Sequence, residues 1–166
     1  MTYRPIDPAA DREYILERHC RVNYACDSPW ARKIPYEQYR ANWFAMPSQI
    51  AGFWQALTES MQDPRGIAEL LIDDSGAIAG YFWAPFYEDR EAGFAWLDGQ
   101  DMYIEEAYRR QGLAAQWLAR AEAHARKHGA KVFRSGTGCE NTASQALHQH
   151  LGFYQYRCEY EKVLEN

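Results

Sequence analysis

The sequence has no apolar run that approaches the roughly 18 residues needed to cross a membrane. Its first residues, Met-Thr-Tyr-Arg-Pro, lack the basic and then apolar layout of a secretory signal. These two absences predict a cytoplasmic chain that has no membrane partner.

Cysteine is scarce and scattered. The four cysteines, Cys20, Cys26, Cys139 and Cys158, show neither the paired spacing of a zinc site nor the pattern of a disulfide framework. In a reducing compartment, cysteines of this kind are free thiols. The sequence therefore predicts no disulfide and no metal.

Positive charge is in the minority. The chain has 18 Lys and Arg residues against 23 Asp and Glu residues, which gives a net charge of −5. Because nucleic-acid binding demands basic patches, this balance argues against a nucleic-acid partner and favours a cationic ligand. Aromatic residues make up 15% of the 166 positions, which excludes a disordered chain and suits a single domain over residues 1–166.

Hydrophobic periodicity and turn residues predict strands and helices along the whole chain. Strands are expected at 2–6, 67–72, 77–86, 94–104, 131–135 and 153–163. Helices are expected at 11–24, 36–44, from Ser48 to just before Pro64, at 113–128, and from Asn141 onward. Antiparallel strands come first and a β-α-β unit follows. The predicted fold class is α/β of the mixed α+β kind, with a mixed, mostly antiparallel central sheet and helices on both faces.

The most informative segment is Tyr108-Arg109-Arg110-Gln111-Gly112-Leu113-Ala114, which joins a strand-like run to a helix-like run. A helix start that offers successive backbone N–H groups, with arginines beside it and small residues at Gly112 and Ala114, suits a phosphate-bearing ligand. The segment lacks the Lys-Ser/Thr pair of a P-loop and the three glycines of the dinucleotide fingerprint. An ordinary helix start with a surface arginine is the alternative.

A second segment, from Asn141 to Phe153, has the pattern of a capped helix that ends in Leu-Gly-Phe. Asn141, Ser144 and His148 are separated by three and four residues, so they share one helix face. The sequence therefore places three polar side chains together after the last β-α-β unit.

Together the two segments resemble the GNAT superfamily of N-acetyltransferases. The family's R/Q-x-x-G-x-G/A signature matches Arg109-x-x-Gly112-x-Ala114, and its later helix also opens on an asparagine. The resemblance covers roughly residues 94–160. It implies a GNAT-like fold and acetyl-CoA (coenzyme A) as cosubstrate. The residues that it implies for cofactor binding are Met102, Tyr103, Ile104, Arg109, Arg110, Gln111, Gly112, Leu113, Ala114, Asn141 and Ser144.

The chain departs from the family pattern at the base. The family's glutamate on the central strand falls at Gln100, and glutamine cannot take a proton. Asp98, which two-residue alternation places on the same strand face as Gln100, is the first candidate base. Asp101, on the opposite face by the same alternation, is the second. A turn or bulge role for Asp98-Gly99 is the alternative.

The second departure is at the proton donor. The family's tyrosine general acid falls at His148. A histidine can donate a proton to the leaving thiolate, so His148 is a candidate catalytic residue. The alternative is that His148 only packs or contacts pantetheine while water protonates the thiolate.

The predicted function is transfer of an acetyl group from acetyl-CoA to a primary amine of a small cationic molecule, by direct attack in a ternary complex. The helix that carries His148 is similar to that of aminoglycoside 6′-acetyltransferases. The alternatives are an acetyltransferase for peptide or protein amino groups, a non-catalytic acyl-CoA-binding module, and an unrelated α/β domain with another phosphate ligand. A homodimer and a longer acyl group both stay open.

Overall fold

A computed structural model describes residues 1–164. Its strands are β1 (Thr2–Pro5), β2 (Ile67–Ile72), β3 (Ile78–Ala84), β4 (Phe86–Asp89), β5 (Phe94–Gly99), β6 (Asp101–Ile104) and β7 (Val132–Ser135). Its helices are α1 (Arg12–Cys26), α2 (Tyr36–Phe44), α3 (Pro47–Ser60), α4 (Leu113–Lys127) and α5 (Thr142–His150). Each helix starts within one residue of its predicted start. Across these residues, every helix is too short or too polar to span a bilayer.

The strands pair in two groups that the chain connects directly. Strands β1, β2, β3 and β6 lie in that order and are antiparallel. Strands β4, β5 and β7 form the second group, in which β5 and β7 are parallel. Because β4 follows β3 and β6 follows β5, the two groups continue one another. This arrangement is the mixed, mostly antiparallel sheet that the sequence predicts.

Helices cover both faces of the sheet, because successive strand residues alternate between two cores. On one face, which we call the α4 face, Trp117 of α4 packs with Phe82 of β3. On the other, the α1 face, Ile15 of α1 and Leu57 of α3 pack with Tyr81 of β3. The predicted fold class is confirmed by this two-sided packing.

The predicted strand 94–104 is interrupted by a β-bulge. The N–H of Gln100 donates to the carbonyl of Trp83 at 3.0 Å, and Asp101 also lies opposite Trp83 in the β3–β6 register. Two residues of one strand therefore face one residue of the other, which is the definition of a bulge.

The bulge resets the alternation of side chains. Leu97 and Met102 both pack on the α4 face, although an odd number of residues separates them. Asp98 and Asp101 therefore share the α1 face. The prediction that these two aspartates lie on opposite faces was wrong, because it assumed an unbroken strand.

The predicted strand 153–163 does not form. Residues 153–164 lie outside any strand, and side chains such as Tyr154 (82% exposed) and Tyr160 (95% exposed) are in solvent. An alternating pattern yields a strand only where one of its faces can be buried. Here neither face has a core to cover.

Gly80 tests how closely β3 and β6 approach each other. A Cβ atom at Gly80 would collide with the carbonyl oxygen of Tyr103 and lie 3.1 Å from the Ile104 side chain. We expect Gly80→Ala to lower the free energy of unfolding by about 1–3 kcal/mol, measured by urea denaturation.

The matched control for this substitution is Gly52→Ala in α3, where a Cβ would meet no atom within 4 Å. This variant should gain about 0.5–1 kcal/mol, because alanine is the better helix former. A Gly80→Ala protein as stable as the wild type would contradict the close approach of the two strands.

Candidate functional site

Strand β6 has a neighbour on one side only, because it pairs with β3 while β7 pairs with β5. The N–H of Glu105 donates to the carbonyl of Ala79 at 2.9 Å, on the β3 side. Backbone groups alternate in direction along a strand, so the amides of Met102 and Ile104 point to the opposite side. In the described chain this side carries no strand, and we call it the β6 edge. It is open to an extended ligand.

The loop between β6 and α4 presents backbone N–H groups. Arg110 has a φ of 64° and Gly112, directly before α4, a φ of 76°. Left-handed residues in such a loop turn successive N–H groups toward one point, which makes a concave anion site. Among residues 1–164 no side chain caps α4. The first-turn N–H groups, those of Leu113 and Ala114 included, are therefore available to a ligand.

Three side-chain contacts hold this loop in place. The Tyr108 hydroxyl donates to Asp73 in the β2–β3 turn at 2.6 Å. Arg109 donates through Nε to the Ile104 carbonyl at 2.9 Å, and Gln111 donates to a carbonyl within the loop. Because Arg109 and Gln111 are also exposed, their remaining donors can reach a bound phosphate.

Helix α5 brings its polar residues to the other side of the β6 edge. Asn141 caps the helix by accepting from the Ser144 N–H at 3.2 Å. His148 has Nδ1 2.7 Å from the Ser144 carbonyl and Nε2 2.8 Å from the Ser135 hydroxyl. Since a carbonyl can only accept, Nδ1 carries the proton and Nε2 accepts from Ser135. Ser135 ends β7 opposite Gly99, at the level of the bulge.

Asp101 is the most enclosed charged residue near the bulge, with 3% of its surface exposed. One carboxylate oxygen, Oδ2, lies 2.5 Å from the Tyr81 hydroxyl and 2.5 Å from His19 Nδ1. Burial, together with the neighbouring Asp101, raises the pKa of Tyr81 well above its ordinary value. The phenol therefore stays protonated and donates to Asp101. The other oxygen, Oδ1, is buried and has no partner within residues 1–164.

His19 is the functional candidate that the sequence analysis missed. It lies on α1 with its ring stacked on Phe53 at 3.6 Å. Its Nε2 is 3.0 Å from Asn23 Nδ2, while Nδ1 meets Asp101. The signal that could have found it is its place directly before the buried Cys20, on a helix face that is otherwise apolar.

The sequence-predicted catalytic residues do not form one group. Asp101 contacts His19 on the α1 face, and His148 lies with α5 on the α4 face. Asp98 is half-buried on the α1 face opposite Arg134, where burial and then Asp98 itself raise the pKa of Tyr87. Its carboxylate forms no hydrogen bond or ion pair within the described residues. The remaining predicted cofactor residue, Tyr103, also faces α1, with its ring 5.3 Å from the Arg109 guanidinium.

Comparisons with known proteins agree on one family. The model of the acetyltransferase (GNAT) family matches residues 20–153. The chain is 38% identical over 129 residues to an aminoglycoside N(6′)-acetyltransferase type 1 of Acinetobacter genomosp. 13, a match that covers 72% of this chain and 87% of that one. It is 33% identical to an L-methionine sulfoximine/L-methionine sulfone acetyltransferase of Salmonella typhimurium, over 53% of this chain and only about half (51%) of that enzyme.

A solved structure shares the fold. The aminoglycoside acetyltransferase AAC(6′)-Iy, bound to the bisubstrate analog CoA-S-monomethyl-acetylneamine, superposes with a TM-score of 0.60. The two chains are 17% identical, and the match covers 99% of this chain and 98% of that one. At this identity the likeness concerns the fold.

The anion-binding loop is tested by charge at Gly112. Both Asp and Asn tolerate a left-handed φ, and the space around Gly112 holds only Gln116 Nε2, at 3.7 Å. We expect Gly112→Asp to weaken CoA binding about tenfold more than Gly112→Asn does, because only Asp repels the pyrophosphate. Titration calorimetry with CoA gives the two dissociation constants. Equal affinities for the two variants would mean that the pyrophosphate binds elsewhere.

Proposed function

We propose that this chain, which belongs to the acetyltransferase (GNAT) family, transfers an acetyl group from acetyl-CoA to the primary amine of a small cationic molecule. The amine attacks the thioester directly while both substrates are bound. The observation that carries the proposal is the buried Asp101, which joins His19 and Tyr81 directly beside the open β6 edge.

The donor side is supported by the loop and by the β6 edge. The loop before α4 offers N–H groups and the side chain of Arg109 to the pyrophosphate. Pantetheine then lies along the β6 edge, where the Met102 N–H points toward the thioester carbonyl. A hydrogen bond from this N–H would stabilise the negative charge that develops on the carbonyl oxygen during attack.

The acceptor side must remove a proton. An amine with a pKa of about 10.4 is almost fully protonated at pH 7, and freeing its lone pair requires about 4.6 kcal/mol. His19 Nε2 receives this proton, because Asp101 holds Nδ1 in its protonated form. The buried carboxylate then stabilises the imidazolium that results. Asp98 has no comparable partner, so the proposed base is the pair of His19 and Asp101.

The leaving thiolate needs a proton on the opposite face. His148 supplies it through the Ser135 hydroxyl, which lies 2.8 Å from Nε2 and next to the β6 edge. As the N–C bond forms and the C–S bond breaks, one proton moves from the amine to His19 and another moves to the thiolate. Both sides of the reaction are therefore served by side chains that the bulge separates.

The proposal is tested by thiol release from acetyl-CoA over a panel of amines. Small cationic amines should be turned over with a higher kcat/KM than peptides with a free N-terminus or a lysine. A preference for peptides would favour the alternative substrate class. Binding of acetyl-CoA without thiol release for any amine would identify a binding module instead of an enzyme.

Asp101→Asn tests the proposed base. We expect kcat at neutral pH to fall by about 10²–10⁴, because asparagine cannot stabilise the imidazolium of His19. The loss should be partly recovered at high pH, where the amine deprotonates itself, and the affinity for acetyl-CoA should be unchanged. Initial rates between pH 7 and 10 measure both effects.

Asp98→Asn is the matched control, since it removes the same charge three residues away on the same face. Its kcat should equal that of the wild type across this pH range. If Asp98→Asn loses activity and Asp101→Asn keeps it, the base is Asp98. A thermal melt of each variant separates a loss of fold from a loss of chemistry.

His148→Phe tests the proposed proton donor. The phenyl ring keeps the edge-to-face packing on Phe153 but has no proton to give. We expect kcat to fall while the dissociation constant of acetyl-CoA stays the same, and Ser135→Ala should show the same split. Full kcat with an unchanged pH profile in the His148→Phe variant would make His148 a packing residue.

A further inference from the structure

A cavity of about 330 Å³ lies between α1, α2 and α3, next to the proposed base. Its walls are Asn23, Cys26, Asp27, Tyr39, Trp43 and Gln49. Two of these walls also touch His19: Asn23 through a hydrogen bond of 3.0 Å and Trp43 through a ring contact at 5.7 Å. The cavity is therefore continuous with the place where the acceptor amine loses its proton.

Asp27 is the one carboxylate of this wall, and its binding capacity is only partly used. Its Oδ1 accepts the N–H of Ser28 at 2.7 Å, and its Oδ2 accepts the Tyr39 hydroxyl at 3.3 Å. It takes part in none of the ion pairs within residues 1–164. Two ionised oxygens can accept about four hydrogen bonds, so an ammonium group can join the existing two.

The cations around the cavity are held by other partners. Arg32 pairs with Glu140 and Arg40 with Glu17, while Arg21 and Lys33 lie over aromatic rings. No free cation of the neighbouring segments is therefore directed at Asp27. The rings of Tyr39 and Trp43 add an attraction for a positive charge at the same place. A zwitterion would gain from its ammonium group but would bring its carboxylate close to Asp27.

The geometry of α1 sets the distance between the two cation sites. His19, Asn23 and Asp27 follow one another at four-residue intervals, which places them on one side of the helix. Eight residues of helix rise by about 12 Å. A ligand with one nitrogen at His19 and another at Asp27 must therefore be elongated.

We propose that Asp27 binds a second ammonium group of the acceptor, about 12 Å from the amine that is acetylated. The acceptor is therefore an elongated small molecule with at least two ammonium groups at this spacing. This inference rests on the proposed function, because it assigns to the amine at His19 the role of acetyl acceptor. It goes beyond that function by naming the residue that selects the substrate.

The experiment compares amines that differ only in the second charge. The acceptors are 1,8-diaminooctane, whose extended length matches the spacing, 1,4-diaminobutane, which is too short, and octylamine, which has one charge. With the wild-type protein, KM for the long diamine should be about tenfold below that of the other two, the effect of one charge-assisted contact. L-Methionine sulfone should be a poor acceptor.

Asp27→Asn is the decisive variant, because asparagine keeps the shape and can still accept from Ser28. It should raise KM for 1,8-diaminooctane about tenfold and leave kcat and the KM of octylamine unchanged. Glu122→Gln on α4 is the matched control, since it removes the same charge from a surface ion pair with Arg126. It should change none of these values. Equal rises of KM for the diamine and the monoamine, or no rise for either, would overturn the proposal.

A binding measurement separates this proposal from the proposed function. The dissociation constant of 1,8-diaminooctane is measured by calorimetry on the CoA-bound protein, with no chemistry required. Weaker binding to Asp27→Asn without thiol release in any reaction would retain the cation site and reject the acetyltransferase function. Turnover of amines with equal binding to both proteins would reject the cation site alone. Spermine and an amino sugar of similar ammonium spacing then distinguish a flexible acceptor from a rigid one, and dependence on Asp27 in either case supports the proposal.

Discussion

The β-bulge opposite Trp83 is the feature on which both halves of the candidate site depend. A regular strand from Phe94 to Ile104 would keep one alternation and one pair of neighbours along its length. The extra residue at Gln100 instead turns Asp101 toward α1 and ends the pairing with β7. One inserted residue therefore produces both the open edge that suits the donor and the buried carboxylate that serves the acceptor.

The sheet keeps the two proton transfers apart. His19 lies on the α1 face and His148 on the α4 face, and each imidazole has its tautomer set by a fixed partner. A proton taken from the amine cannot pass directly to the thiolate across the packed sheet. This separation lets one residue type act as acceptor on one side and as donor on the other.

The sequence predicts most of the fold because its signals are local. Helix starts, the Asp73–Gly76 turn and the glycine before α4 all depend on a few neighbouring residues, and the structure places them where expected. The family resemblance is likewise confirmed by the match over residues 20–153. The bulge at Gln100 was not predicted, because it depends on a contact with Trp83 across the sheet. His19 was missed for the same reason, since 82 residues separate it from Asp101. The terminal strand was predicted from alternation alone, which says nothing about whether a face is covered.

Asp101 also records what the chain has been selected for. A carboxylate that is almost wholly enclosed, with one oxygen unpartnered within residues 1–164, destabilises a folded protein. An asparagine or an apolar residue of similar size would relieve that burden, and such replacements arise easily by mutation. A lineage under pressure for stability alone would have discarded the aspartate. Its persistence in the middle of a core marks a position where usefulness has outweighed robustness.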